Sequence, residues 1–98
     1  MERKYELTNE SITLEGRTLY RIKAIKSFSN VKTGSIGGYI ENEENLSHLG
    51  NCWVYGNGRV CENGIVYENG KVCENGMVYG NGMVYGNGIV CDYGIVCD

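Results

Sequence analysis

The chain has no proline, one alanine, one histidine and one tryptophan in 98 residues, and each scarcity closes off a possibility. With so little alanine, 15 glycines and eight tyrosines, the composition is poor in helix formers and rich in strand and turn residues, so an all-β chain is expected. The single histidine, His48, is the one candidate for an imidazole base, and no Ser-His-Asp set is read around it. The five cysteines are an odd number with no C-x-x-C pair, which suggests neither a disulfide framework nor a zinc site. They read as reduced thiols acting as small hydrophobes. No apolar run approaches the ~20 residues of a membrane span, and the start "MERKYE" lacks the apolar centre of a secretory signal. The chain is therefore expected in the cytosol, with no membrane partner. Basic charge is also thin. Residues 51–98 carry two Lys or Arg against five Asp or Glu, and residues 1–50 carry seven of each. That balance argues against a nucleic-acid groove. Arg21, Lys23 and Lys26 form a small basic strip, read either as the wet face of a strand or as a contact for an acidic partner.

What is present is a six-residue word. Aligned on valine it runs VYGNGR, VCENGI, VYENGK, VCENGM, VYGNGM, VYGNGI, VCDYGI and a final VCD, from Val54 to Asp98. Strict hexads mark a parallel β-solenoid, in which each word is a short strand plus a turn and coils stack at roughly 4.8 Å. Volume sets the orientation. A slim tube has room for stacked Val and the fifth-slot Gly but not for a file of Tyr, so those two slots face in and their neighbours face out. Asn and Gly in the fourth and fifth slots are expected to supply the φ > 0 of the turn, with Asn side chains stacking as ladders.

The word does not fix how many words close a coil. At a 12-residue period, Trp53, Ile65, Met77 and Ile89 stack beside Tyr55, Tyr67, Tyr79 and Cys91, and Arg59 and Lys71 gather on the opposite face. At 18 residues those two cations scatter. Segregation of outward chemistry favours a flattened two-sheet coil of 12 residues over a triangular coil of 18. Upstream, the frame puts His48 and Ile36 in the valine slot and Cys52 in the small inward slot. Two parts follow: an N-terminal β-hairpin cap over 1–30, turning at Glu15-Gly16, and a solenoid over 31–98 that is regular from 53. The last words, through Ile95, Val96 and Cys97, stay apolar and in register, which predicts a homodimer through that edge or through the aromatic face.

The words "KYELT", "GRTLYRIKAI" and "GSIGGYIENEENLSHLGNCWVYGNGRV" resemble small phage and prophage proteins that couple such an N-terminal module to YGNARV-type hexads. The resemblance implies a phage or prophage origin, and hence the host bacterial cytosol. It supplies no catalytic residue. This chain departs from those relatives with Gly where they often carry Ala in the fifth slot.

Hexapeptide solenoids also serve as acyltransferases that use a histidine base and a cofactor cleft between long coils. Here His48 reads as a packed residue of the first coil, so neither catalysis nor a cofactor or metal is expected. The functional expectation is a non-catalytic protein-binding module, an inhibitor of a host defence effector such as a CRISPR nuclease. Its anchors would be Trp53, Tyr55, Ile65, Tyr67, Met77 and Tyr79 on one face. An acidic file of Glu62, Glu68 and Glu74 would imitate a phosphate backbone. The alternative is a self-assembling structural segment.

Overall fold

The six-residue word folds as a two-residue strand and a four-residue corner. In the computed structural model, which describes residues 2–97, the chain forms eleven strands among those residues. They are β1 (Tyr5–Leu14), β2 (Arg17–Ala24), β3 (Ile36–Ile40), β4 (Trp53–Val54), β5 (Arg59–Val60), β6 (Ile65–Val66), β7 (Lys71–Val72), β8 (Met77–Val78), β9 (Met83–Val84), β10 (Ile89–Val90) and β11 (Ile95–Val96). The one helical turn among the described residues is a 3-10 segment, Glu43–Asn45. The chain is a hexapeptide-repeat β-solenoid headed by an antiparallel hairpin, as its composition and period predict.

Each corner is closed by the fifth-slot amide donating to the second-slot carbonyl, as in Gly58 to Tyr55 at 2.9 Å and Gly70 to Tyr67 at 3.0 Å. In the words with Asn in the fourth slot the left-handed backbone falls on the third slot, not on the Asn or the following Gly: φ is +57° at Gly56, +58° at Glu62, +57° at Glu68 and +59° at Gly80, while in the last full word both Asp92 and the fourth-slot Tyr93 are left-handed. For a residue with a Cβ this conformation costs about 1–2 kcal/mol. The glutamates offset part of it, because Glu62 Oε1 accepts from the Gly80 amide at 2.7 Å and Glu68 Oε1 from the Gly86 amide at 2.8 Å, each one coil further on. One Asn rung is formed as expected, Asn63 Nδ2 donating to Asn81 Oδ1 at 3.2 Å.

The coil is triangular, with 18 residues, and the flattened 12-residue form is overturned. Arg59 pairs with Met77 and Met77 with Ile95; Trp53 pairs with Lys71 and Lys71 with Ile89; Ile65 pairs with Met83. The strands thus divide into three sides, β5-β8-β11, β4-β7-β10 and β6-β9. The reason is local. Each word bends the chain at one hydrogen-bonded corner, and three such bends close the tube. The outward chemistry used to choose the period is not segregated at all, since Lys71 sits between Trp53 and Ile89.

Val54, Val60, Val66, Val72 and Val78 are fully buried, and Val84 and Val90 nearly so, each complete burial contributing about 1.5–3 kcal/mol. The interior is therefore a column of valines with fifth-slot glycine between them. Cys73 and Cys91 occupy the same slot of adjacent coils, with Cα atoms 4.7 Å apart, and are joined as a disulfide, against the expectation of five reduced thiols. Cys52, Cys61 and Cys97 are free.

The hairpin is built into the solenoid. β1 pairs with β2, β2 with β3 in antiparallel fashion, and β3 with β5 in parallel, so one six-stranded sheet runs from the hairpin down the first side. The first coil is two residues longer than the rest. Tyr39 pairs with Arg59 and Leu46 bridges Val66, each twenty positions on, whereas from Trp53 the offset is eighteen. The extra residues lie in the Ser47–Gly50 stretch, and they move the inward slots to Ile40 and Leu46. His48 and Ile36, assigned those slots by extending the hexad frame, do not hold them, and Ile36 is exposed.

Candidate functional site

The six residues predicted to form one contact face lie on three. Trp53 and Tyr55 belong to the β4 side, Ile65 and Tyr67 to the β6 side, and Met77 and Tyr79 to the β8 side. Trp53 is 1% exposed. It points out of the tube, as its slot requires, but Phe28 packs edge-on against it at 5.3 Å between ring centres and Tyr5 at 6.2 Å. It is therefore core, and its nomination as a contact anchor is corrected. Tyr55 is half-buried against the same cluster. The acidic file dissolves as well, because Glu62, Glu68 and Glu74 follow β5, β6 and β7 on three different edges, and the first two are acceptors for backbone amides. Glu74 instead stands over Asp92. Its carboxyl is raised above the ordinary value by a hydrogen bond with Asp92 and by the repulsion between the two.

On the β8 side, nominated residues from separate groups do converge. The hairpin tip overhangs the outward face of β5-β8-β11 and leaves a cleft of about 500 Å³, lined by Leu14, Glu15 and Arg17 above and by Cys61, Glu62, Met77, Tyr79 and Ile95 below. Behind it lies the small cluster of Leu19, Tyr39 and Cys61, with Ile12, Leu14, Met77 and Tyr79 packed on that cluster, and of its buried members Cys61 lines the cleft. Arg17 holds the rim. It donates to Glu41 at 2.8 Å and lies 3.5 Å from Glu62, tying the hairpin tip to the first two coils. Burial raises the Cys61 thiol, which keeps it a neutral apolar floor. Of the C-terminal residues nominated for a dimer edge, Ile95 is at the mouth of this cleft, Val96 is half-buried and Cys97 is exposed.

The β6 side carries a second apolar face. Tyr67 stacks on Tyr85 at 5.3 Å between ring centres and 16° between planes, beside Ile65 and Met83. This is a direct result of the 18-residue period, which no reading at 12 residues would bring together.

The N-terminal segment is occupied with structure. Lys4, fully buried, donates to the carbonyls of Gly50 at 3.1 Å and Cys52 at 2.8 Å and covers the Phe28 ring at 4.3 Å, and burial lowers its pKa. His48 stacks on Tyr5 at 4.1 Å, its Nδ1 accepting from the Lys4 amide at 3.1 Å and its Nε2 meeting Glu43 at 3.0 Å. Burial alone would raise Glu43, but hydrogen bonds from His48 and Arg3 outweigh it and hold the carboxyl below its usual value. With Nδ1 filled by an N–H, Nε2 is the protonated nitrogen, and neither is open to a substrate. Two of the three residues of the basic strip, Arg21 and Lys26, are engaged, while Lys23 is exposed. Arg21 donates to Gly37 at 2.7 Å and to the Tyr39 hydroxyl at 2.6 Å, and Lys26 pairs with Glu2 at 2.9 Å. Among the described residues no group of three His, Cys, Asp or Glu side chains suits a metal ion, and no helix is long and apolar enough to cross a membrane.

No protein-family model matches the chain. It is similar to a protein of Escherichia coli (strain K12), the uncharacterized acetyltransferase YdcK, with 38% identity over 61 residues, or 54% of this chain. The chain spans about a fifth, 19%, of that relative's length.

Proposed function

We propose that the chain is a non-catalytic protein-binding module, and that its recognition surface is the cleft under the hairpin tip. One observation carries the reading. Met77, Tyr79, Ile95 and Glu62 come together on one sheet beneath Leu14 and Arg17, a concave surface of mixed apolar and polar lining, which suits a protein contact built on aromatic and arginine side chains. The resemblance of the N-terminal words to phage and prophage proteins supplies the setting: a chain made in an infected bacterium, whose partner is a host defence effector such as a CRISPR nuclease. The engaged nitrogens of His48 support a role without general-base chemistry.

A phage-sensitive strain carrying an active CRISPR nuclease tests this directly. Expression of the chain restores plaque formation, and Met77→Asp with Tyr79→Ser removes that effect while the circular dichroism stays that of the parent. If plaque numbers do not rise against any of a panel of such nucleases, the inhibitor reading is overturned.

The Tyr67–Tyr85 stack, with Tyr85 exposed, favours a homodimer as a second use of the surface. Replacing both rings with Ser and measuring mass in solution separates the two: loss of a dimer with the cleft intact assigns that face to self-association. The likeness to YdcK favours a third reading, an acyl-transfer role, which requires acetyl-coenzyme A to bind; an unchanged melting temperature at millimolar acetyl-coenzyme A removes it.

A further inference from the structure

Arg59 is the exception among the arginines. Arg3, Arg17 and Arg21 each hold a carboxylate, from Glu43 at 2.9 Å, Glu41 at 2.8 Å and Glu10 at 3.1 Å. Arg59, in β5 between Tyr39 and Met77, has no ion pair among the described residues, and its Nε is buried with no hydrogen-bond acceptor. A guanidinium presents five donors in a fixed fork that matches a carboxylate or phosphate, and a buried donor without a partner is costly.

Arg59 lines a cleft of about 260 Å³ together with Ile12, Tyr39, Asn57 and Asn75. Asn57 and Asn75 occupy the same slot of adjacent coils; Asn57 Oδ1 accepts from Arg21 Nη2 at 3.5 Å, and among the described residues the two amides form no rung like that of Asn63 with Asn81, so Asn75 lines the cleft without being tied to Asn57. Of the acidic neighbours, Glu10 is engaged by a cation. Glu10 is held by Arg21 and receives the Tyr39 hydroxyl, and Glu74, beside Asn75 in sequence, has its carboxyl raised by the neighbouring Asp92.

We propose that Arg59, with the amides of Asn57 and Asn75, forms a binding site for a small oxyanion, a carboxylate or phosphate group presented by a ligand or partner. The site lies on the opposite edge of the β5-β8 face from the cleft under the hairpin tip and does not depend on that cleft's function. The guanidinium supplies the charge and the fork, the two amides supply neutral donors at the side, and Ile12 forms an apolar lip.

The test is an NMR titration of the arginine Nε–Hε resonances of the full chain at constant ionic strength, set with sodium chloride, in two arms: sodium acetate and inorganic phosphate. The Arg59 resonance moves and saturates in at least one arm, and the arm that saturates at lower concentration identifies the source. Asn75→Leu raises the half-saturation concentration read on Arg59, and Arg59→Lys, followed instead at the side-chain amide resonances of Asn57 and Asn75, raises it by about tenfold for loss of the planar fork, with the backbone spectrum otherwise retained. An Arg59 resonance that fails to saturate in both arms, or that moves no further than those of Arg3 and Arg17, overturns the site.

Discussion

A methyl group placed on the Cα of Gly70 would lie 2.5 Å from the carbonyl oxygen of Val84 and 3.0 Å from its Cγ1. The fifth slot is glycine because the backbone of the next coil passes directly across it, not because the turn needs a positive φ there. Gly70→Ala therefore lowers stability by about 1–3 kcal/mol, the usual range for overfilling a packed core. Gly88, whose nearest contact is 3.0 Å and whose next is 3.5 Å, is the control. Gly88→Ala stays within about 1 kcal/mol of the parent. Chemical denaturation of both variants checks the ranking, and equal losses would contradict it.

The third slot makes the opposite demand. Glu68 has φ +57°, and its carboxylate serves the exposed Gly86 amide, which water can also serve. Removing the side chain while keeping a Cβ leaves the strain without the hydrogen bond, so Glu68→Gly is more stable than Glu68→Ala by about 1 kcal/mol. Thermal melts of the two variants check this. If alanine proves the better replacement, the corner geometry is wrong.

Much of this was legible in the sequence. A β-branched residue at every sixth position gives the dry interior, the absence of helix formers gives the class, and Glu15-Gly16 gives the hairpin turn. The number of words in a coil was not legible, because the word specifies one corner and not the angle through which it bends. Trp53 was misread for a related reason. Its slot faces out of the tube, but Tyr5 and Phe28, which close over it, come from residues outside the repeat. His48 was displaced from the inward slot by a two-residue lengthening of the first coil, invisible in a frame extended back from regular words. The cleft and the Tyr67–Tyr85 stack exist only at a period of 18, so no reading at 12 could assemble them.

Trp53 and Tyr85 should part company under mutation. Trp53→Ala removes a ring from the junction of hairpin and solenoid and costs about 3–5 kcal/mol. Tyr85→Ser removes an exposed ring whose contribution is the stack on Tyr67, about 0.5–1.5 kcal/mol. Denaturant midpoints read the difference, and a Trp53→Ala protein as stable as the parent would return that residue to the surface.

Glu74 and Asp92 give a pH signature. The hydrogen bond with Asp92 and the like charge raise the Glu74 carboxyl above the ordinary 4.5, so the folded chain binds that proton more tightly than the unfolded chain does. The resulting stabilisation is present below the unfolded value and is lost as pH rises through the folded one. Relative to Glu74→Gln, the parent thus loses melting temperature on going from pH 4 toward neutrality. A difference between the two that stays flat with pH would show the carboxyls are not paired.

The account rests on a three-sided coil, and couplings transmitted through its backbone hydrogen bonds test that most directly. In the triangular coil the Tyr67 amide donates to Val84, Cys61 to Val78 and Tyr79 to Val96. A long-range HNCO spectrum is predicted to show those three N-to-carbonyl correlations; cross-peaks from Tyr67 to Val78 and from Cys61 to Val72 would instead show a 12-residue coil and contradict the account.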